Sequence, residues 1–412
     1  MEQLIQMSEW GTDHLLGRLY PFWAKLKDEE NGGFYGHVSF DLVTDKKAFK
    51  GCILNSRITW FFSNIYILFK EGLLDRKKFE EYGTDPEEVL GLAKHGYEFL
   101  RDKCIDRENG GIYWSVDCFG NPDDTTKHTY NQAFCIYALS SYYDASGDAQ
   151  ALDLARSIMD VIENKCRDEG GYLEAQSADF KPEENDKLSE NGVIADRTMN
   201  TLLHVFEGYT ELYRVSGDPK AGEKVREIGN DFADLIYEPD RHRLGVFFDS
   251  DFNTIIDLHS YGHDIETAWL VDKGLAILGD EELTRRLTPI TKDLTKTIFE
   301  TAFDGRSLPA ECENGVVNER RDWWVQAETV LGFVNGFLKD DSHTDYLEGA
   351  VHQLGFIRDF VIDKRDGSEW FYRVDKNGKP DESEAIVEEW KCPYHNGRMC
   401  MELIRAGKTG VL

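Results

Sequence analysis

Asn31-Gly-Gly-Phe-Tyr-Gly36 is a glycine turn that runs into strand-like aromatic residues. The chain repeats it as Asn109-Gly-Gly-Ile-Tyr-Trp114 and Glu169-Gly-Gly-Tyr-Leu173. Weaker copies stand at Arg243-Leu-Gly-Val-Phe-Phe-Asp249 and Asp366-Gly-Ser-Glu-Trp-Phe-Tyr372, and the poorest at Asp304-Gly-Arg-Ser-Leu308. The spacing, about 60 to 78 residues, exceeds that of the common solenoids. It suits a helix, a turn with a short strand, and a second helix.

Between the turns the apolar residues recur with helical period. They predict twelve helices, near 2–27, 55–73, 87–104, 129–146, 148–166, 197–215, 219–237, 263–279, 281–302, 323–338, 342–363 and 393–407. Gly147-Asp148 and Gly217-Asp218-Pro219 divide helix from helix, with Pro219 suited to a first turn. Six pairs with alternating short and long connections predict an all-α fold. A closed (α/α)6 barrel with short strand-containing loops at the active-site end is favoured over an open solenoid. No linker interrupts the chain, so residues 1–412 read as a single domain. In each pair the helix after the aromatic turn is the inner one, and all six inner helices begin at one end of the barrel.

Composition narrows the function. Hydrophobic residues are 41% and charged residues 30%, the balance of a globular chain. A net charge of −30 repels nucleic acid and anionic membranes and leaves a small neutral substrate as the best partner. Aromatics at 12% suit a core, and equally the apolar faces of sugars. The N-terminus, MEQLIQMSEW, lacks the regions of a signal peptide, and no apolar run approaches a membrane span. Eight scattered cysteines (52, 104, 118, 135, 166, 312, 392, 400) read as free thiols in a reducing cytoplasm. The expectation is a cytoplasmic monomer, with a homodimer as the alternative.

The six inner-helix starts carry the chemistry. They read Asn55-Ser-Arg57; His128-Thr-Tyr130-Asn131-Gln132; Met199-Asn200 through His204; His259-Ser-Tyr-Gly-His263-Asp-Ile-Glu266; Arg321-Asp-Trp323-Trp324-Val-Gln-Ala-Glu328; and Trp390-Lys-Cys-Pro-Tyr394-His395-Asn-Gly-Arg398. A lone inner-helix histidine is more often a satisfied core residue than a catalyst. Six polar or aromatic starts converging on one cavity make a site. Asn200 shares a helix face with His204, His263 with Glu266, and His395 with Arg398. A carboxylate beside an imidazole fixes its tautomer and raises its pKa. That predicts His263 paired with Glu266, the arrangement wanted for a general base.

Other readings compete. His259 divides evenly between substrate contact and structural support, Glu328 could be a buried structural carboxylate, and Trp323 and Trp390 could be core or sugar platforms. His14, His37, His95, His242, His343 and His352 fall on outer helices or turns and read as structural or solvated. No HExxH occurs and the three histidines come from three helices, so no metal is expected. No Walker A loop or strand–GxGxxG–helix appears, so no nucleotide cofactor is expected. A glycosidase would pair Glu266 with Glu328 and leave the histidines unexplained.

The segments FWAKLKDEENGGFYG, SRITWFFSN, KHTYNQAF, SYGHDIE, WWVQAE and KCPYHNGRM span nearly the whole chain. In them the sequence resembles the N-acylglucosamine 2-epimerase superfamily, and within it the branch acting on cellobiose-like disaccharides. The resemblance implies an (α/α)6 barrel and cofactor-free inversion of C2 of a reducing glucose to mannose. It implies that His263 and His395 are the two acid/bases and that His204 and Arg57 are needed for activity. Glu266 and Glu328 would support the imidazoles, and Tyr130, Trp323 and Trp390 would contact sugar. By their places at the helix starts, Asn131, Asn200, His259 and Arg398 are expected to contact it too. Asn55 stands where some relatives have His, a departure expected to adjust substrate contacts. In the implied reaction the ring opens, one histidine takes the C2 proton to give a cis-enediol, and the other returns a proton to the opposite face. Protonation at C1 would instead make a ketose. Epimerisation of N-acylglucosamine and non-enzymatic sugar binding are the remaining rivals.

Overall fold

The computed structural model describes residues 1–188 and 191–412, and among them twelve long helices form six pairs. In chain order they are α1 (2–24), α2 (Cys52–Lys70), α3 (86–104), α4 (Thr129–Ser146), α5 (Ala149–Lys165) and α6 (Met199–Ser216). There follow α7 (219–236), α8 (Tyr261–Leu278), α9 (281–302), α10 (Trp323–Lys339), α11 (344–361) and α12 (Tyr394–Thr409). Every expected helix is present within a few residues of its predicted bounds. A short extra helix, Arg76–Glu81, was not foreseen.

The ring is closed. α2 packs on α4, α4 on α6, α6 on α8, α8 on α10, α10 on α12, and α12 returns to α2. The odd-numbered helices pack outside them, so the architecture is an (α/α)6 barrel. The inner helices are buried on nearly every face; all twelve residues from Cys52 to Ser63 are buried. At the far end, α4, α6 and α8 stop at Gly147, Gly217 and Gly279, with φ of 76°, 65° and 68°. A residue with a Cβ would be strained there. The next residues, Asp148, Asp218 and Asp280, cap the following outer helices by accepting the amides of Gln150, Lys220 and Glu282. A Gly-Asp pair is therefore enough to turn the chain.

The loop layer closes in the same order. The two residues before each of α2, α4 and α6 pair with a short strand one unit on: Lys50–Gly51 with Ser115–Val116, Lys127–His128 with Ala175–Gln176, and Arg197–Thr198 with Phe247–Phe248. Leu258–Ser260 pairs with Glu311–Glu313, and Arg321–Asp322 with Arg373–Val374. The bridge between Val38 and Val387 joins the last unit to the first.

A repeated clasp holds each aromatic turn against its inner helix. An aspartate in the turn receives a buried cation from just before the helix: Asp28 from Lys50 at 2.7 Å, Asp106 from Lys127 at 2.9 Å, Asp168 from Arg197 at 2.7 Å and Asp304 from Arg321 at 3.0 Å. In the sixth unit Lys391 pairs with Glu369, a glutamate in place of the turn aspartate. The fourth residue of the helix then pins the turn's backbone. Asn55 Oδ1 accepts from Phe34 N at 2.9 Å, Gln132 Oε1 from Ile112 N at 2.7 Å, and Gln326 Nε2 donates to Leu308 O at 2.9 Å. Asn55 is thus a structural residue, fully buried, rather than a tuner of substrate contacts. No helix among the described residues is long and apolar enough to cross a membrane.

Candidate active site

The inner helices start around a cavity of about 420 Å³, within the range of small-molecule sites. Of the residues singled out from the sequence, Arg57, Tyr130, Asn200, His204, His263, Glu266, Trp323, Trp390 and His395 line it. Each comes from the start of an inner helix or the residues just before one, so the ring itself sets their spacing.

Beneath the cavity floor Arg398 gathers three carboxylates. Its Nη1 donates to Glu207 Oε1 at 2.6 Å, and its Nη2 donates to Glu328 Oε1 at 2.8 Å and to Glu266 Oε1. All four groups are buried. Against the upward push of burial, the Arg398 charge brings Glu207 down to about 2. Burial and the neighbouring Glu328 carry Glu266 up to about 8. Burial likewise raises Glu328 against the pull of Arg398. One guanidinium cannot neutralise three carboxylates, so the cluster holds its negative charge unevenly. Ligand atoms of Glu266, Glu328 and His395 lie within 4.8 Å of one another, a spacing that could suit a cation. The Arg398 guanidinium already bonds both of those carboxylates.

The histidines stand on this cluster in different ways. His395 Nδ1 lies 2.7 Å from Glu328 Oε1, and His204 Nδ1 lies 2.9 Å from Glu207 Oε2. A carboxylate only accepts, so both rings carry their proton on Nδ1 and keep the Nε2 lone pair. His263 departs from the expected pairing. Glu266 is taken by Arg398, and His263 Nδ1 instead meets Ser260 Oγ at 2.7 Å. Nor are the imidazole pKa values raised. Burial pushes His263 down to about 3 with help from the charge of His204, and pushes His395 well below its usual value with help from Arg398 and Arg57. Burial also lowers His204, outweighing Glu207. All three are neutral near pH 7 and competent as bases.

Arg57 supplies positive charge from the opposite wall. Its Nη2 donates to Tyr130 Oη at 2.7 Å, and its guanidinium lies over the Phe134 ring at 4.0 Å. Glu328 supports the site from behind, its second oxygen accepting from Trp269 Nε1 at 2.8 Å. Three of the residues expected to contact sugar are not part of the cavity wall. Asn131 donates to Tyr113 O at 2.8 Å, Arg398 is enclosed by its carboxylates, and His259 Nε2 meets Asp264 Oδ2 at 2.8 Å. His259 occupies the place that the clasp cation holds in the other units. Its structural reading is the one the geometry favours.

Residues missed from the sequence complete the site. Trp324 lies with its ring 4.7 Å from that of His263 and 5.7 Å from that of His395. Glu207, three residues after His204, could have been found by helical spacing. Phe247 reaches the cavity from its short strand, and Lys187, Asn191 and Glu384 reach it from loops, where no periodicity marks them.

The family model described as N-acylglucosamine 2-epimerase matches residues 80–395. The chain belongs to this family. It is 48% identical over 409 residues to the cellobiose 2-epimerase of Eubacterium cellulosolvens, covering 95% of this chain and 97% of that one. A solved sugar epimerase from a ruminal bacterium is 45% identical and superposes with a TM-score of 0.92, covering 97% and 99% of the two chains. The cellobiose 2-epimerase of Bacillus thermoamylovorans B4167 is 38% identical with a TM-score of 0.89, over 98% and 100%. The matched segment includes Tyr130, His204, His263, Glu328 and His395. The chain is a carbohydrate epimerase, an isomerase.

Proposed function

We propose that this enzyme reversibly inverts C2 of the reducing-end glucose of β-1,4-linked disaccharides, converting cellobiose to glucosyl-mannose and also accepting lactose. The observation that carries the reading is the placement of His263 and His395. Both rings lie against Trp324, and each has its Nδ1 engaged, which directs chemistry to Nε2. The relatives at 42–48% identity share the named activity.

In the proposed reaction the pyranose opens, so that the C1 aldehyde can delocalise charge left at C2. One of the two histidines removes the C2 proton and the other protonates the opposite face after rotation about C2–C3. Arg57 meets the developing oxygen charge, a contribution often worth about 3 kcal/mol, while His204 accepts a sugar hydroxyl at Nε2. Tyr130, Asn200, Trp323 and Trp390 bind the sugar, and Glu266 and Glu328 support the bases. We take residues 1–412 as one catalytic domain acting as a cytoplasmic monomer without metal or nucleotide, and all eight cysteines are unpaired in the structure.

The test is incubation with cellobiose, lactose, mannose and N-acetylglucosamine in deuterated water, followed by NMR. Deuterium at C2 of both epimers of the disaccharide is the expected result. A ketose labelled at C1 as the main product, or turnover confined to N-acetylglucosamine, would overturn the assignment.

A further inference from the structure

Ser260 immediately precedes α8, where a serine ordinarily caps the helix by accepting an amide from the first turn. Thr198 does this for α6, accepting from Thr201 N at 3.0 Å. Ser260 makes no such bond. Its hydroxyl lies 2.7 Å from His263 Nδ1, and its backbone is fixed by pairing with Glu311. The helix has forgone a cap, and the hydroxyl faces an imidazole instead.

The partner matters because a hydroxyl donates as readily as it accepts, whereas a carboxylate only accepts. A charged His263 donates from Nδ1 to Ser260; a neutral His263 with its proton on Nε2 accepts from the same hydroxyl. The ring therefore stays seated in both states. His395, in contrast, has Glu328 2.7 Å from its Nδ1, and that direct negative partner favours a proton taken at Nε2 against burial and the charges of Arg398, Arg57 and His204, with Glu207 on the side of the proton. The titratable groups facing His263 are His204 from α6, Glu328 from α10, Glu266 one turn along α8, and His395 from α12 beyond the Trp324 ring. None of them bonds to it.

We propose that Ser260 is a positioning residue that makes His263 the stronger acid of the pair, by holding its ring in both charge states without lending negative charge. The inference rests on the epimerase reading. When His395 is the base, its Nε2 takes the C2 hydrogen as a proton, and the C–H electron pair passes into the enediolate over C1, C2 and oxygen. The turnover runs through the fraction of enzyme in which His263, neutral in most molecules near pH 7, carries a second proton taken from solvent, and this imidazolium gives its Nε2 proton to C2. The enediolate pair becomes the new C–H bond and His263 leaves neutral, still held by the Ser260 hydroxyl. In the reverse direction the roles exchange.

The experiment compares Ser260→Ala, Ser260→Thr and Ser260→Asp with the parent enzyme, after thermal melts show which variants fold. The pH profile of kcat/KM is recorded in both directions. Imidazole ¹⁵N shifts of labelled enzyme without substrate, assigned through His263→Gln and His395→Gln, read tautomer and pKa directly. Ser260→Asp should move the His263 resonance and its kinetic limb upward by about one pH unit or more, leaving those of His395 in place. Ser260→Ala should lower kcat by about tenfold with little change in KM, and Ser260→Thr should restore most of it. The proposal is overturned if His263 titrates above His395 in the parent, or if the Asp variant leaves its resonance unmoved. An enzyme that leaves C2–H unexchanged on every sugar refutes the functional reading instead, while the ¹⁵N titration still decides the role of Ser260.

Discussion

Glu328 Oε1 stands 2.7 Å from His395 Nδ1, while the same carboxylate is held by Arg398 and by Trp269. That fixes which nitrogen of His395 carries the proton. Glu328→Gln keeps the shape and can offer its amide NH₂ to Nδ1, which turns the Nε2 lone pair into an N–H. We expect kcat to fall by about 10²–10⁴, approaching the loss in His395→Asn, with KM little changed. Wild-type turnover in Glu328→Gln would show that the tautomer is not set by this contact.

Removing Arg398 has a different signature. Arg398→Met leaves Glu207, Glu266 and Glu328 buried around an apolar chain. Stranding buried charge of this kind costs about 3–5 kcal/mol. Urea unfolding should show a loss of that size, reduced at low pH where the carboxylates protonate. An unchanged unfolding midpoint would mean that the cluster contributes nothing net to stability.

Trp324 and Trp323 are neighbours in sequence and should differ in effect. Trp324 touches both His263 and His395, whereas Trp323 packs on Tyr372 at 4.5 Å. Trp324→Ala should lower kcat as the imidazoles lose their common support, and raise KM by about tenfold, equivalent to roughly 1.4 kcal/mol of sugar binding. Trp323→Ala should act mainly on KM. Steady-state kinetics on cellobiose separates the two.

Stability should respond to pH in opposite senses from two sets of groups. Burial holds His14 and His263 down to about 3 and His128 to about 4, against an ordinary value of 6.5. Their stabilising effect is complete above 6.5 and is lost as pH falls toward 4 and 3. Burial raises Glu174 and Glu388 to about 7 and Glu266 to about 8, from 4.5. Their effect is complete below 4.5 and is lost as pH rises toward 7 and 8. Each titrating group contributes a slope of about 1.4 kcal/mol per pH unit. The slopes cancel between 4.5 and 6.5, so urea midpoints measured across pH should form a plateau there and fall on both sides. A steady rise from 4.5 to 6.5 would show that the carboxylates are not held protonated.

The sequence displays the barrel well because its repeat is local. Turn, cation and inner-helix start recur within each unit, so Asn31, Asn109 and Glu169 suffice to reveal the period. Gathering the six starts then brings His204, His263 and His395 together. What the residues do not display is pairing between helices. Spacing of three assigned Glu266 to His263, but Arg398, more than 130 positions away, takes the carboxylate. His259 read as a ligand because the clasp it replaces becomes visible only when all six units are compared in space. The loop residues Lys187, Asn191 and Glu384 had no period to betray them.

The closed ring also sets a field. Six parallel helices begin at the cavity, and each N-terminus carries about half an elementary positive charge from its unpaired amides. A chain of net charge −30 thus points six positive helix ends at the place where an enediolate would form. The field is built into the backbone and present before the substrate arrives, so it requires no reorganisation when charge develops. Substitution of any single side chain in the site leaves it standing.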